Sequence, residues 1–335
     1  MLSLNNRSQN KISILVPGKL MLAGEWSVLE DGNSCIVLPI NKFVCVSIWP
    51  SKSLSVTAPE IGIQNFKLDL NQTETEPETL AITKKTIKTV LEYLQENNVA
   101  LESFALHIDS SDMFITTHDG IKKIGLGSSA AVTVALVKAM LIFHGQDVTS
   151  SAALGKIFKL ACIAHYKAQE STGSGFDIAA STYQKPLHYK RFNIQWFTNE
   201  LNRHAYITKL INYTWPCLHI EPIALPKNFL LCSCYTGYSA STKTRIKQVF
   251  DFKEKSPNTY NIIIDAINQT VLDLLDALKN NHQTNIHDCI RKNRELLKQL
   301  GQASASQLET PELTQLISQA ESCGAAAKFS GAGGG

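Results

Sequence analysis

No stretch of eighteen uninterrupted apolar residues occurs in this chain of 335 residues, and the opening Met1 to Asn10 is polar, without the apolar core of a signal segment. Both absences argue against a membrane span or a secretory leader and make the cytoplasm the expected compartment. There is no long basic run: Lys and Arg number 32 against 29 Asp and Glu, so the charge balance gives no reason to invoke nucleic acid or an anionic membrane. The eight cysteines (Cys35, Cys45, Cys162, Cys217, Cys232, Cys234, Cys289, Cys323) are scattered through apolar segments. They lack the paired spacing of a zinc site or a small disulfide scaffold and are expected as reduced thiols. The nine histidines form no His-x-x-x-His or similar pattern, which argues against a protein-ligated transition metal. No internal period marks a repeat protein. What remains, with 44% hydrophobic and 18% charged residues, is the composition of a globular enzyme of one large or two medium domains.

Against that background one stretch stands out, Lys122-Lys123-Ile124-Gly125-Leu126-Gly127-Ser128-Ser129-Ala130-Ala131, which runs into the apolar segment Val132 to Phe143. Two glycines permit a tight turn and a close approach to a ligand, two serines offer hydroxyls, and small alanines open a helix without crowding its first turn. The first amides of a helix have no internal partner and carry the positive end of its dipole, so an anion placed there satisfies both. The pentapeptide alone also fits an ordinary loop and cap; the basic pair before it and the small-residue helix after it favour phosphate. It is neither a P-loop nor G-x-G-x-x-G, since no lysine follows the second glycine and the spacing differs.

In chain order, Lys11 to Val16 reads as a strand ended by Pro17-Gly18, which places Lys19 at a strand exit. Glu25 follows close behind it. Cys35 to Ile40 and Phe43 to Trp49 read as two further strands, and Ser51 to Glu78, with its acidic Thr-Glu-Thr-Glu-Pro-Glu run, as a solvated loop. Thr79 to Asn97 fits an amphipathic helix through Ile87, Val90, Leu91 and Leu94, and Phe104 to Ile108 and Met113 to Thr117 read as strands leading to the glycine loop. Thr149 is a plausible cap for a helix over Ala152 to Lys167. The next loop, Gln169 to Ser181, repeats the glycine and serine chemistry and ends with Asp177 entering a small-residue segment. A plain helix N-cap and a catalytic carboxylate both fit that aspartate. Leu187 to Trp196, Cys217 to Ile220 and Asn228 to Tyr235 read as strands, with Cys232 and Cys234 on one face of the last. Lys243 and Arg245 fall in a loop after it, as phosphate anchors or as a solvated basic turn. Helices are expected over 258–278, 287–300 and 311–322, then a strand over 324–329. The glycine-rich Ser330 to Gly335 directly after a strand lacks the element it should feed, so the chain is expected to continue.

Three small-residue loops resemble the three motifs of the GHMP kinase superfamily, named for galactokinase, homoserine kinase, mevalonate kinase and phosphomevalonate kinase. They are Pro-Gly-Lys-Leu-Met-Leu-Ala-Gly-Glu-Trp (17–26), Gly-Leu-Gly-Ser-Ser-Ala-Ala (125–131) and Lys-Phe-Ser-Gly-Ala-Gly-Gly-Gly (328–335). Ala-Gly-Glu-Trp-Ser-Val-Leu-Glu, Gly-Ser-Gly-Phe-Asp-Ile-Ala-Ala and Thr-Gly-Tyr-Ser-Ala-Ser-Thr-Lys are most similar to the phosphomevalonate kinase family within it. The resemblance implies a two-lobed α+β fold. The N-terminal ATP-binding lobe (1–186) would be like the second domain of ribosomal protein S5, and the C-terminal lobe (187–335) ferredoxin-like. It implies transfer of the ATP γ-phosphoryl group to 5-phosphomevalonate in the mevalonate route to isoprenoids, with Mg²⁺ as cofactor and a small molecule as partner. Lys19, Lys123 and Asp177 match the catalytic positions. Gly125, Leu126, Gly127, Ser128, Ser129 and Ala130 would hold ATP phosphates, with Ser129 toward Mg²⁺. Lys19, Ser174, Ser241, Lys243, Ser330 and Ala332 would lie near the substrate or the nucleotide phosphates. Two features depart from the pattern. Tyr166 stands where mevalonate kinases carry a glutamate ligand of Mg²⁺, with Glu170 nearby as a substitute, and the acidic residue and strand that continue the third motif are absent.

Overall fold

Two long strands organise the molecule, whose computed structural model describes residues 11–70, 78–118, 120–169, 173–203, 206–237 and 242–334. β1 (Ile12–Ala23) and β2 (Ser34–Pro50) pair antiparallel from Ile12 opposite Ile48 to Ala23 opposite Ile36. The expected end at Pro17-Gly18 is a break within β1, not its terminus: Pro17 faces Phe43, but Lys19 faces Pro39. Proline cannot donate to the ladder but is tolerated on an edge strand, and β1 is such an edge. The two strands read over 35–40 and 43–49 are therefore one.

On its other edge β2 pairs with β5 (Phe104–Asp109) and β8 (Leu187–Lys190). β5 pairs in parallel with β3 (Ser55–Ala58), β3 with β4 (Ile63–Lys67), and β8 with β9 (His219–Pro222). The loop expected over 51–78 thus contributes two strands to a seven-stranded sheet, and its acidic run up to Pro77 falls outside the described residues. A separate hairpin, β6 (Phe114–Thr117) with β7 (Gly120–Lys123), delivers the chain to the glycine loop.

Alternation sorts side chains to the two faces. Cys35 and Val37 of β2 point to a core filled from α1 (Ala81–Glu96), α2 (Ser128–Phe143), α3 (Ser151–Gln169) and α4 (Phe176–Tyr183). Ile36 and Leu38 point to the opposite face, with Val271, Leu274, Ile286 and Ile290 of two later helices. α5 (Ile194–Arg203) and α6 (Ile207–Asn212) also join the first core, through Phe197, Leu210 and Ile211. The strand reading over 187–196 is correct only to Lys190. A lobe boundary after residue 186 would cut β8 from its ladder with β2, since β8, β9, α5 and α6 pack with the N-terminal lobe.

The remainder is helical: α7 (Thr242–Lys255), α8 (Pro257–Lys279), α9 (Gln283–Ala303) and α10 (Pro311–Ser322). Pro257 and Pro311 open their helices at the position where no backbone donor is needed, and Thr310 caps α10 by accepting from the Leu313 amide. Arg294 of α9 grips both oxygens of Glu309, at 2.9 and 2.7 Å, and fixes the entry to α10. Trp26 joins Val249, Tyr260, Ile264, Leu297 and Phe329 in this lobe's core. Three expectations are corrected here. Arg245 stands in helix α7 and not in a loop, and Lys243 lies in the same helix. Asn228 to Tyr235 and residues 324–329 form no strand, since neither finds a ladder among the described residues; Leu230 is 90% exposed. The sheet of a ferredoxin-like C-terminal lobe is accordingly not formed among those residues. No described helix is long and apolar enough to cross a membrane.

Helix α2 is buried on nearly every side, and it carries Lys138 into the core, where the ammonium donates to the Thr182 carbonyl of α4 at 2.8 Å. Burial pushes this lysine down to about 8. The folded value lies below the unfolded one, so between about pH 8 and 10.5 the unfolded chain binds more protons and stability gains as pH rises. Urea denaturation of wild type and Lys138→Met at pH 7.5 and pH 10 should show the balance moving toward wild type at the higher pH, by up to about 3 kcal/mol.

Candidate active site

The break in β1 exists to meet the glycine loop. The Lys19 amide, released from the ladder, donates to the Leu126 carbonyl at 2.9 Å, and a Cβ on Gly18 would stand 2.6 Å from that same oxygen. Only glycine lets the two backbones come so close. From the other side Gly127 takes φ +77°, and a Cβ there would lie 3.0 Å from Lys19 Cγ and 3.1 Å from its Cε. The Lys19 stem therefore runs across the mouth of α2, and its ammonium reaches the Gly125 carbonyl at 3.4 Å and stands 5.5 Å from the centre of the Phe176 ring.

Behind this loop α2 begins at Ser128 with no side chain capping its first amides. A dipole end left open by a helix in an apolar surround is poorly screened, which is the condition an anion cradle requires. Ser128 is buried, while the hydroxyl of Ser129 hydrogen-bonds Nε2 of His165 at 3.3 Å. Burial pushes the His165 imidazole below its ordinary range, against the pull of the Asp177 carboxylate, so the ring is neutral near pH 7.

Asp177 stands in the first turn of α4, where Oδ1 accepts from the Ile178 amide at 2.9 Å. Helix α4 is tied to the break in β1 by the buried Ser181 hydroxyl, which donates to the Pro17 carbonyl at 2.9 Å. Desolvation lowers the Lys19 ammonium from its usual value, and the charges of Asp177 and Glu25 oppose that. The pair interacts through space, since Lys19 forms no ion pair within 4 Å among the described residues.

The other expected residues divide. Lys123 ends β7 beside the loop, on the exposed side, while Lys122 reaches the Gly237 carbonyl at 3.4 Å. Ser174 is buried, its carbonyl accepting from the Tyr189 hydroxyl at 2.6 Å. Ser330 is spent on β1, accepting from the Met21 amide at 3.1 Å and donating to the Met21 carbonyl at 3.0 Å. Ala332 packs against the C-terminal core. Lys243 lies in the first turn of α7, and Arg245, two residues on, donates to the Gln307 carbonyl. Ser241 and Glu170 fall outside the described residues. Tyr166 packs edge-on against Phe197, as a core residue would.

Sequence reasoning put Glu25 close behind Lys19 but gave it no partner, and it overlooked Lys328, His165 and Ser181. Glu25 and Lys328 form a buried ion pair that joins the first loop to the third, and the Lys328 ammonium also donates to the Phe329 carbonyl. Glu25 Oε2 is buried with no hydrogen-bond partner. His165 lies on the apolar stripe of α3 with Phe158 and Ala161, so its spacing marked it as buried but not what it faced. Ser181 gave no signal beyond its place in a small-residue helix.

A sheet backed by helices on both faces, with an open helix end, a lysine and a carboxylate converging on it, defines a small-molecule phosphotransferase site. The chain belongs to the GHMP kinases: residues 82–185 match the model for the GHMP kinases N terminal domain and residues 274–335 that for GHMP kinases C terminal. A phosphomevalonate kinase from Streptomyces sp. (strain CL190) is 28% identical over 334 residues, spanning 95% of this chain and 86% of that one. Among solved structures, a Lin0012 protein from Listeria innocua superposes with a TM-score of 0.86 at 26% identity, covering 97% of this chain and 89% of the other. The Streptococcus pneumoniae phosphomevalonate kinase in complex with phosphomevalonate and AMPPNP shares the fold at a TM-score of 0.80 and 24% identity, covering 97% and 90%.

The two loop glycines separate experimentally. Gly127→Ala forces a side chain into the left-handed region and against Lys19, and should cost about 1–2 kcal/mol in chemical denaturation. Gly125→Ala enters open space and should denature with wild type.

Proposed function

We propose that this chain is a phosphomevalonate kinase, transferring the ATP γ-phosphoryl group to 5-phosphomevalonate to give 5-diphosphomevalonate and ADP. The observation that carries the proposal is the uncapped start of buried α2, with Lys19 laid across it and Asp177 on the neighbouring helix. The choice of acceptor is supported by the similar Streptomyces phosphomevalonate kinase and by the sequence motifs at 173–177 and 236–243. The cytoplasm is the proposed compartment, and the lobe boundary belongs near residue 222 rather than after 186.

Phosphoryl transfer asks chiefly for positioning and for cations around the moving group. The amides of Ser128, Ser129 and Ala130 would hold the nucleotide phosphates, with Lys19 and Lys123 supplying positive charge. The hydroxyl of Ser129 and the carboxylate of Asp177 are hard oxygen donors that suit Mg²⁺, which when bound neutralises phosphate charge. His165 orients the Ser129 hydroxyl from behind. At the acceptor end Ser174, Ser241 and Lys243 would meet the substrate, while Ser330 and Ala332 brace the first loop.

A phosphate monoester has a second pKa of about 6, so the acceptor is already mostly dianionic near neutral pH and needs no proton removed. Asp177 then acts through Lys19, its charge holding the desolvated ammonium protonated between two anions. Removing the carboxylate lets Lys19 lose its proton at lower pH. The alkaline fall of kcat in Asp177→Asn should move to lower pH than in wild type, while Lys19→Met loses that limb altogether. An acidic limb that disappears in Asp177→Asn would instead identify the aspartate as a general base. A coupled ADP assay across 5-phosphomevalonate, mevalonate and homoserine tests the acceptor: turnover is expected with the first alone, and turnover of mevalonate in its place would overturn the assignment.

A further inference from the structure

Across β8 and β9 the sheet brings together residues that no spacing in the sequence announces. In the β8–β9 ladder His188 stands directly opposite Glu221, and Lys190 opposite His219. Residues two apart on a strand share a face, so His219 and Glu221 project on the side where His188 meets them. The His219 Nε2 to Glu221 Oε2 distance is 3.1 Å, His188 Nδ1 to the same oxygen is 3.8 Å, and the two imidazole rings are 4.8 Å apart. We propose that His188, His219 and Glu221 form a binding site for a divalent zinc-class ion.

A tetrahedral ion with bonds of about 2.0–2.1 Å holds its ligand atoms about 3.3 Å apart, and the two distances to the carboxylate bracket that value. One ligand atom from each of the three residues lies within 4.8 Å of the others, so a modest rotation of the imidazoles closes the set. Imidazole nitrogen with carboxylate oxygen is the donor set that zinc accepts, and three protein ligands leave a fourth position for water. The support behind the site is already built. His188 Nε2 lies 3.0 Å from the buried Ser34 hydroxyl, whose backbone amide donates to Asn268 Oδ1 at 2.9 Å. A proton on Nε2 donated to Ser34 leaves the Nδ1 lone pair facing Glu221, the outer-shell arrangement that orients metal-binding histidines. His188 is nearly buried while Glu221 is open, so an ion enters from solvent. Lys190 stands beside the set and opposes it with its charge. The ion would clasp β9, a four-residue strand at the edge of the sheet, to its neighbour.

The test uses His219→Ala and Glu221→Gln, which alter exposed side chains and leave His188 in place. In competition with a chromogenic chelator, wild type should take up one equivalent of Zn²⁺, and each variant should bind at least about tenfold more weakly. Zn²⁺ should raise the Tm of wild type and not of the variants. Co²⁺ in its place should give tetrahedral d–d bands without a thiolate charge-transfer band. Failure of wild type to bind, equal binding by the variants, or a thiolate band that puts the metal on cysteine would each overturn the site.

Discussion

One backbone hydrogen bond, from the Lys19 amide to the Leu126 carbonyl, sets the geometry on which the rest of the site depends. It can form only because β1 breaks its ladder with β2 at Pro17-Gly18, and only because Gly18 carries no Cβ to strike the Leu126 oxygen. The break frees two polar groups that an unbroken strand would have spent on pairing. The Lys19 amide goes to the glycine loop, and the Pro17 carbonyl goes to Ser181 of α4. Three elements distant in sequence are thereby registered on one another: the strand with the lysine, the helix with the open N-terminus, and the helix with the carboxylate.

Electrostatics follow from that registration. A lysine folded against a loop loses water and with it part of its preference for the charged state; Asp177 and Glu25 return some of it. The same carboxylates help hold the nearby Cys35 thiol in its neutral form, after the larger effect of burial. Glu25 is itself held by Lys328, so the third glycine loop reaches the site as a counter-charge, while the Ser330 hydroxyl is committed to Met21. The site is a balance of two lysines and two carboxylates around an open helix end.

Much of this was legible in the chain. The helices α1, α3, α8, α9 and α10 fell where they were expected, and the glycine loop, with the all-round apolar α2 behind it, declared itself by chemistry. The errors share a cause. Proline followed by glycine was read as punctuation, yet an edge strand tolerates both and continues. Asn228 to Tyr235 has the residues of a strand, yet a strand exists through its partner, and no ladder forms there. Helix α7 was missed because its polar surface leaves, among its described side chains, only Val249 fully buried, and too weak a stripe to read.

The chain alone determined where the glycine-rich loops fall, that a helix follows the one at 125–127, and that a lysine at 19 and an aspartate at 177 stand at the ends of neighbouring elements. Those are properties of backbone freedom, small side chains and local periodicity, all of which act over a few residues. Only the tertiary structure decided that Glu25 faces Lys328, that His165 stands behind Ser129, and that two histidines and a glutamate meet across β8 and β9. Contacts of that kind depend on strand register and sheet order, where a shift of one residue turns every side chain to the opposite face.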